Sequence, residues 1–273
     1  MLADSPYGRR GAFVRLIYLF CAAVFFALSR TVQRTYRPEV VLCYHGIGPA
    51  ATRKFLDQLA AIRRSQRRLH VTFDDSFANL LTTALPALRA AGRVPLVFVV
   101  AENLGRTPRW EMPAGHPDRQ EVTMDVDQLR AAVRDNLLRV GSHTLTHRPL
   151  ADLDESSICH ELCESKRRLE ALLDVTVEDL ALPYGSYDER VLRLARAAGY
   201  RRIYTLDERL VDPRLMQSGV CGRFLVSPEM WPVEFALTCA GAYRWLFHWR
   251  RFLCTWARRL RSHDEPNGCT TSP

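Results

Sequence analysis

The sequence predicts an α/β fold in which short parallel strands alternate with amphipathic helices. Between Pro38 and about Ser227, short apolar runs and helix-length amphipathic stretches follow one another. Two of the helical stretches end in Ala-Ala-Gly, at 90–92 and 197–199, where glycine suits the left-handed conformation that closes a helix. Polar residues follow most of the apolar runs, so they are expected to gather at the carboxyl end of a parallel sheet or barrel.

Six apolar runs are predicted to be strands and five intervening stretches to be helices. The strands are expected at 39–45, 69–75, 94–100, 137–143, 178–185 and 201–207. The helices are expected at 54–67, 79–91, 125–135, 155–173 and 189–198. Repeated βα units of this kind favour a parallel arrangement, and we assign residues 38–235 to one such domain.

Composition and charge restrict the classes of protein to which this chain can belong. The hydrophobic content of 47% and charged content of 25% are ordinary for a globular chain, and the net charge of +8 favours polyanionic partners. No nucleic-acid-binding motif accompanies the charge, so no nucleic acid is expected, and an anionic membrane surface is the favoured interpretation. The eight cysteines form no close-set framework, which predicts free, reduced thiols in a cytosol-facing protein.

Residues 1–37 form a basic, apolar N-terminal segment. Its uninterrupted apolar part, Leu16–Leu28, is shorter than the roughly 20 residues of a membrane-spanning helix. The segment is compatible with a signal peptide cleaved near Ser29, a short anchor, or an interfacial helix. Cleavage would leave an odd number of cysteines in an exported protein. We therefore predict membrane association at the cytoplasmic face, with export by a signal or anchor as the alternative.

Residues 236–261 are predicted to form a basic amphipathic C-terminal helix, followed by a polar tail at 262–273. Apolar side chains at helical spacing form one stripe: Trp245, Trp249, Phe252, Leu253, Trp256 and Leu260. Arginines occupy much of the opposite side. This pattern is typical of a helix lying on an anionic membrane, and equally of a terminal helix docked on the domain. The N-terminal segment favours the membrane.

Three stretches carry chemistry: TFDD at 72–75, SHTLTH at 142–147 and LPYG at 182–185. Adjacent aspartates cannot share one face of a regular strand, and their charges repel unless a cation lies nearby. The histidine pair is followed by Pro149, which disfavours a helix there. Thr144 stands where a helical zinc protease needs its glutamate, which excludes that class.

Two imidazoles and one carboxylate form a set that leaves open positions on a divalent metal ion. A second carboxylate beside them could handle protons during metal-assisted hydrolysis. Each motif alone is compatible with a structural role. Their occurrence at successive strand ends favours a metal-dependent hydrolase, with zinc as the preferred ion and cobalt, nickel or manganese as alternatives.

These motifs resemble those of the polysaccharide deacetylases of the NodB-homology type, carbohydrate esterase family 4, over roughly residues 38–235. The resemblance implies a distorted (β/α) barrel, here with basic apolar or amphipathic terminal segments. It also implies site roles. Asp74 would be the catalytic base, the backbone N–H of Tyr184 would hold the oxyanion, and the metal ligands would be Asp75, His143 and His147.

The sequence departs from this family in two places. Ala181 stands where the family has an arginine that orients the catalytic aspartate, and the usual late motif with its histidine is not recognisable. Instead, VLCYHGIGP at 41–49 resembles the circularly permuted branch that includes poly-N-acetylglucosamine deacetylases. By that resemblance His45 would protonate the leaving amine, the alternative being a supporting hydrogen-bonding residue. Arg223 is expected to form a surface salt bridge, with replacement of the missing arginine as the alternative.

The predicted function is removal of N-acetyl groups from a GlcNAc-type polysaccharide, oligosaccharide or lipid-linked sugar. The alternatives are a catalytically impaired glycan-binding protein, suggested by Ala181, and an O-acetyl esterase acting on a polysaccharide. The expected partners are a glycan or glycolipid substrate and an anionic membrane surface. Trp110, in a Pro- and Gly-rich loop at 105–121, is expected to be a packed loop aromatic, with stacking on a sugar as the alternative.

Overall fold

The computed structural model describes residues 12–29, 38–65, 67–247 and 249. The strands are β1 Val40–Tyr44, β2 Leu69–Phe73, β3 Leu96–Val99, β4 Arg139–Ser142, β5 Asp179–Ala181, β6 Arg202–Tyr204, β7 Gly219–Cys221 and β8 Phe224–Leu225. The helices are α1 Ala12–Ser29, α2 Thr52–Arg64, α3 Ala84–Ala90, α4 Val126–Arg134, α5 Glu155–Leu173, α6 Glu189–Ala197 and α7 Pro232–Cys239.

All eight strands form one parallel sheet in the order β7-β6-β5-β4-β3-β2-β1-β8. The two edge strands, β7 and β8, follow each other in the chain with only Gly222 and Arg223 between them. Because so few residues reach at most about 10 Å, the sheet must curl until its edges meet. One extended segment, 219–225, therefore closes a distorted barrel, which confirms the predicted fold class.

The six predicted strands are confirmed, each in a shorter form, whereas β7 and β8 were not predicted. They are only three and two residues long and are separated by a glycine and an arginine, so they lack a recognisable apolar run. Gly222 is required there because a Cβ atom would lie 2.4 Å from the carbonyl oxygen of Asp207. The closing strand thus depends on close backbone approach, which sequence patterns do not reveal.

Four of the five predicted helices are confirmed, and three begin with an aspartate cap. Asp125, Asp154 and Asp188 each accept a hydrogen bond from a backbone N–H in the first turn of α4, α5 and α6. The prediction of one helix at 79–91 is wrong: a 3-10 turn, Ala78–Leu81, precedes the short α3. Pro86 has no N–H for the hydrogen bond that a continuous helix would need at that point.

The strands separate two apolar layers. One set of side chains packs outward against the helices, and a smaller set fills the barrel, because neighbouring strand residues point to opposite faces. The interior set consists of Val41, Leu96, Phe98, Ala181, Tyr204, Val211 and Cys221. Towards the carboxyl ends of the strands this interior becomes polar, with buried Thr72, Asp74, His143 and Arg223.

The terminal segments add helices to the outside of the barrel. Helix α1 packs on α7 and on the turn at Ala242–Arg244. The helix predicted from residue 236 is interrupted, since α7 ends at Cys239 and Gly241 adopts a left-handed conformation with φ 70°. Residues 1–11, 30–37 and 250–273, where further terminal predictions fall, lie outside the described residues. Within the described part, no helix combines the length and apolar character needed to cross a bilayer.

Candidate active site

The two adjacent aspartates lie where β2 ends. The backbone N–H of Asp74 still donates to the carbonyl of Tyr44 at 2.8 Å, which continues the pairing with β1. Asp75 then turns into the left-handed region with φ 67°, and Ser76 follows with φ 53°. Regular alternation therefore stops between the two carboxylates, and each can take a separate set of partners.

Asp75, His143 and His147 bring one ligand atom each to within 4.8 Å of one another, and all three side chains are buried. The Nε2 atom of His147 lies 3.4 Å from Asp75 Oδ1, and that of His143 lies 3.7 Å from the same oxygen. Two imidazole nitrogens and one carboxylate oxygen at these spacings suit a divalent transition metal. The donor set fits the metal that the sequence predicts.

His143 is oriented for this task by the barrel wall. Its Nδ1–H donates to the carbonyl oxygen of Ala181 at 2.9 Å, which leaves the Nε2 lone pair facing Asp75. Burial lowers the pKa of His143 to about 4, so the ring is neutral near pH 7 and able to bind a cation. Burial likewise lowers the pKa of His147.

Glu161 of α5 fixes the loop between the two histidines. Its carboxylate accepts hydrogen bonds from the backbone N–H groups of Leu145 and Thr146, at 3.0 and 2.9 Å, and from the Thr146 hydroxyl. Glu161 is buried, on the same helix face as Ile158 and Leu162. Glu161 was not among the predicted site residues, although a glutamate within the apolar face of an amphipathic helix is a signal for such a residue.

Replacing Glu161 with alanine is expected to loosen this loop. The backbone N–H groups of two residues would lose their acceptor, which lowers the free energy of unfolding by about 1–3 kcal/mol for each one left unsatisfied. Because the loop between the two histidines would no longer be fixed, metal affinity is expected to fall roughly 10–100-fold. Calorimetric metal titration and denaturant unfolding measure the two effects. Glu161→Gln keeps an acceptor oxygen and the side-chain shape, so it should retain most of the affinity. Lower stability with unchanged metal affinity in Glu161→Ala would limit Glu161 to a structural role.

Asp74 is held by Arg223, and the expectation of a surface salt bridge for this arginine is wrong. Arg223 is fully buried, and its Nη1 and Nη2 donate to the two Asp74 oxygens at 2.6 and 2.9 Å. Burial alone would raise the pKa of Asp74, but the Arg223 guanidinium and His143 more than offset it and hold the pKa well below its ordinary value. Arg223 thus does for Asp74 what the missing arginine at Ala181 does in the resembling family.

A second donor to Asp74 is the thiol of Cys43 on β1. Its Sγ lies 3.3 Å from Asp74 Oδ2, and the side chain is completely buried. Burial raises the pKa of the Cys43 thiol well above its ordinary value, so the S–H is retained and donates to the carboxylate. This contact was also missed, because a buried cysteine in a strand has no pattern that distinguishes it from a packing residue.

His45 follows β1 and is half-buried at the same end of the barrel. Its loop is fixed by two neighbours: Gly46 N–H donates to Asp118 Oδ2 and Ile47 N–H donates to Asn79 Oδ1, both at 3.2 Å. When it is protonated, His45 adds a small contribution to the lowered pKa of both Asp74 and His143, after the larger effects of burial on His143 and of the Arg223 guanidinium on both.

Two aromatic side chains flank His147. Trp110 stacks on the imidazole with ring centres 4.5 Å apart, and Tyr184 meets it edge-on at 4.7 Å. Tyr184 is 43% exposed, and its hydroxyl donates to the carbonyl oxygen of Glu111 at 3.3 Å. The loop at 105–121 therefore contributes to the wall of the candidate site, and Trp110 is a packed loop aromatic.

Backbone strain is concentrated at this site. Seven non-glycine residues in the described part of the chain have positive φ. Four of them belong to the motifs, Asp75, Thr144, His147 and Tyr184, and a fifth, Ser76, directly follows the first motif. Such conformations cost on the order of 1–3 kcal/mol each and persist where the surrounding structure imposes them. Their accumulation here indicates a geometry imposed for function.

The comparisons with solved structures agree with this fold. IcaB from Ammonifex degensii is 23% identical with a TM-score of 0.59, covering 74% of this chain and 97% of that one. The Streptococcus pyogenes deacetylase PplD, solved in complex with acetate, is 18% identical with a TM-score of 0.61, covering 75% and 99%. A de-N-acetylase from Aggregatibacter actinomycetemcomitans is 16% identical with a TM-score of 0.55, covering 71% and 96%.

Sequence comparison places the chain in a family. YxkH of Bacillus subtilis, assigned to the polysaccharide deacetylases, is 23% identical over 137 residues, which are 50% of this chain and 44% of that relative. The chain thus matches less than half of that relative's length. The family model described as polysaccharide deacetylase matches residues 61–203, which leaves His45 and Arg223 outside the match. Because that match spans more than half of the 273 residues, the protein belongs to the polysaccharide deacetylase family.

Proposed function

We propose that the protein is a metal-dependent hydrolase that removes N-acetyl groups from a GlcNAc-type glycan. One observation supports this most strongly. Asp74 Oδ2 lies 3.7 Å from His143 Nε2, so an ionised carboxylate held by Arg223 directly borders the Asp75, His143 and His147 cluster. A proton acceptor beside a metal-binding set is the arrangement that hydrolysis of an amide requires.

Each residue then has one task in the reaction. A divalent ion held by the cluster would polarise the acetyl carbonyl and make water a stronger nucleophile; zinc suits the donors best, and cobalt, nickel or manganese also fit. Asp74 accepts the proton of the attacking water. The backbone N–H of Tyr184 donates to the oxygen on which negative charge develops. His45 gives a proton to the departing amine, which would otherwise be a poor leaving group.

The Asp74–Arg223 pair also bears on the alternative of a protein that has lost catalysis. That alternative arose because Ala181 cannot orient the base. Arg223 supplies two hydrogen bonds to Asp74 from the junction between β7 and β8, so the loss of the motif arginine is compensated. The names of the similar solved structures, a deacetylase and a de-N-acetylase, support the same reaction class.

Asp74→Asn is expected to lower the rate of acetate release by roughly 10²–10⁴-fold, because asparagine cannot accept the proton. Metal content should not change, since Asp74 is not among the three clustered donors. The measurement is acetate release from chitooligosaccharides by metal-loaded protein, with an O-acetylated polysaccharide assayed in parallel. Asp127→Asn, at a 95% exposed side chain, is the matched control.

Equal release by the wild type and Asp74→Asn, or no release from any amino-sugar glycan, would contradict the proposal. Release from the O-acetylated polysaccharide alone would instead support the esterase. Thermal unfolding of both variants checks that the loss of activity is not a loss of fold.

A further inference from the structure

Helix α1 carries a continuous apolar stripe on its outward side. The exposed members are Phe13, Leu16, Ile17, Phe20, Val24 and Leu28, with exposures from 40% for Val24 to 75% for Phe13. Their spacing of three or four residues places them on one side of the helix, which is about 27 Å long over its 18 residues. Single exposed apolar side chains are ordinary on a protein surface, but a stripe of six along one helix marks an interaction site.

The opposite side of α1 is fixed to the domain. Arg15 forms an ion pair with the buried Glu234 at 2.6 Å and lies over the Trp231 ring at 4.4 Å. Tyr18 packs on Trp245 with ring centres 5.6 Å apart, and Ala22 is fully buried. Arg15 is the only charged residue of α1, and it points into the domain. The stripe is therefore a rigid, uncharged face of the folded protein.

Basic residues flank this helix in the sequence, and one described arginine contacts it. Arg244 lies over the ring of Phe25 at 5.1 Å, near the end of α1. In the sequence, Arg9 and Arg10 precede the helix, and Arg30, Arg34 and Arg37 follow it without an acidic residue among them. Each basic residue near an anionic lipid surface contributes about 1 kcal/mol to attraction. Two copies meeting through this face would bring together two helices with the same basic flanking sequences, which disfavours self-association.

An aromatic residue of the type that prefers the membrane–water boundary lies next to the docking contact. Trp249 stands one helical turn after Trp245, which packs on α1, and it is 53% exposed. Tryptophan is enriched at membrane interfaces because its ring is apolar and its N–H is polar. A helix that lies in the plane of a membrane typically has an apolar stripe, flanking basic residues and a nearby aromatic residue at the membrane–water boundary.

We propose that the outer face of α1 docks the folded domain on an anionic lipid bilayer. The helix lies flat with its stripe among the acyl chains, and the arginines that flank it in the sequence supply the attraction to anionic headgroups. This binding is independent of the proposed hydrolysis, because none of its residues belongs to the candidate active site. The test therefore measures vesicle binding, and its outcome does not depend on whether the protein hydrolyses an acetylated glycan.

The experiment is co-sedimentation of the full chain with phosphatidylcholine vesicles, with and without phosphatidylglycerol. Wild type should sediment with the anionic vesicles and be released by high salt. The double variant Phe13→Glu, Phe20→Glu should bind at least roughly 100-fold more weakly, because two aromatic side chains no longer enter the bilayer. A matched control, Val94→Glu with Leu215→Glu, changes two exposed apolar residues elsewhere and should bind as wild type does.

Two measurements keep the result interpretable. Thermal unfolding and acetate release from a soluble chitooligosaccharide should be unchanged in the Phe13, Phe20 variant. Equal sedimentation of wild type and this variant, or no binding of wild type to either vesicle, would overturn the proposal. So would a concentration-dependent dimer that forms without lipid and is abolished by the same two substitutions, since the stripe would then bind a second copy.

Discussion

Replacing Arg223 with methionine is expected to remove almost all hydrolase activity and about 3–5 kcal/mol of stability. The guanidinium is fully buried. From the junction between β7 and β8 it donates one hydrogen bond to each oxygen of Asp74. Without it, Asp74 would be an uncompensated buried charge. Its pKa would rise, because the remaining dominant influence is burial, and the carboxylate would be protonated or displaced.

Two further variants distinguish the effect of the Arg223 charge from the effect of its hydrogen-bonding geometry. Arg223→Lys keeps the charge but cannot form two parallel hydrogen bonds, so intermediate stability and strongly reduced activity are expected. The double variant Asp74→Leu, Arg223→Met removes both charges and should recover much of the stability without recovering activity. Denaturant unfolding and acetate release measure the two quantities. Wild-type activity in Arg223→Met would show that Asp74 needs no orienting cation.

Removal of the metal is expected to bring activity below detection, and zinc should restore it. Asp75, His143 and His147 gather their ligand atoms within 4.8 Å of one another in a buried position, as a bound cation would require. Because the ion binds the folded state, it should also stabilise the protein, by about 2.7 kcal/mol when free metal is 100 times its dissociation constant. Chelation followed by titration with zinc, monitored by thermal unfolding and acetate release, tests both effects.

His147→Ala should lose the metal at concentrations that saturate the wild type. The matched control is His160→Ala on α5, because His160 is exposed and lies outside the cluster. Elemental analysis after gel filtration gives the metal content directly. A His147→Ala protein that retains one equivalent of metal with wild-type affinity would exclude this residue from the ligand set.

The local parts of the structure were predictable, and the long-range parts were not. Six strands, four helices and their aspartate or glycine ends follow from short patterns, as does the placing of Asp75, His143 and His147 after the carboxyl ends of parallel strands. Each of these features depends on a few consecutive residues or on the common direction of parallel strands. The prediction of one helix at 79–91 failed because the amphipathic pattern of the segment suggested a continuous helix, whereas Pro86 lacks the N–H that such a helix needs.

The residues that support the site came from distant parts of the chain. Arg223 reaches Asp74 across 149 positions, and Cys43 reaches it across 31. Which arginine would be buried depended on the closing strand, whose five paired residues show no strand pattern of their own. The His143 tautomer likewise depends on the Ala181 carbonyl, a backbone atom that every residue type would supply.

The short junction at Gly222 and Arg223 makes catalytic competence a late event in biosynthesis. Among the residues that the structure describes, the segment 219–225 is the last strand-forming part of the barrel to be synthesised, and until it docks, β6 and β1 have open edges. A nascent chain at that stage already has TFDD, His143 and His147, yet Asp74, the proposed base, has no arginine partner. Closing the sheet and ordering Asp74 are then one step, so a barrel that fails to close stays inactive and exposes strand edges that chaperones or proteases can recognise.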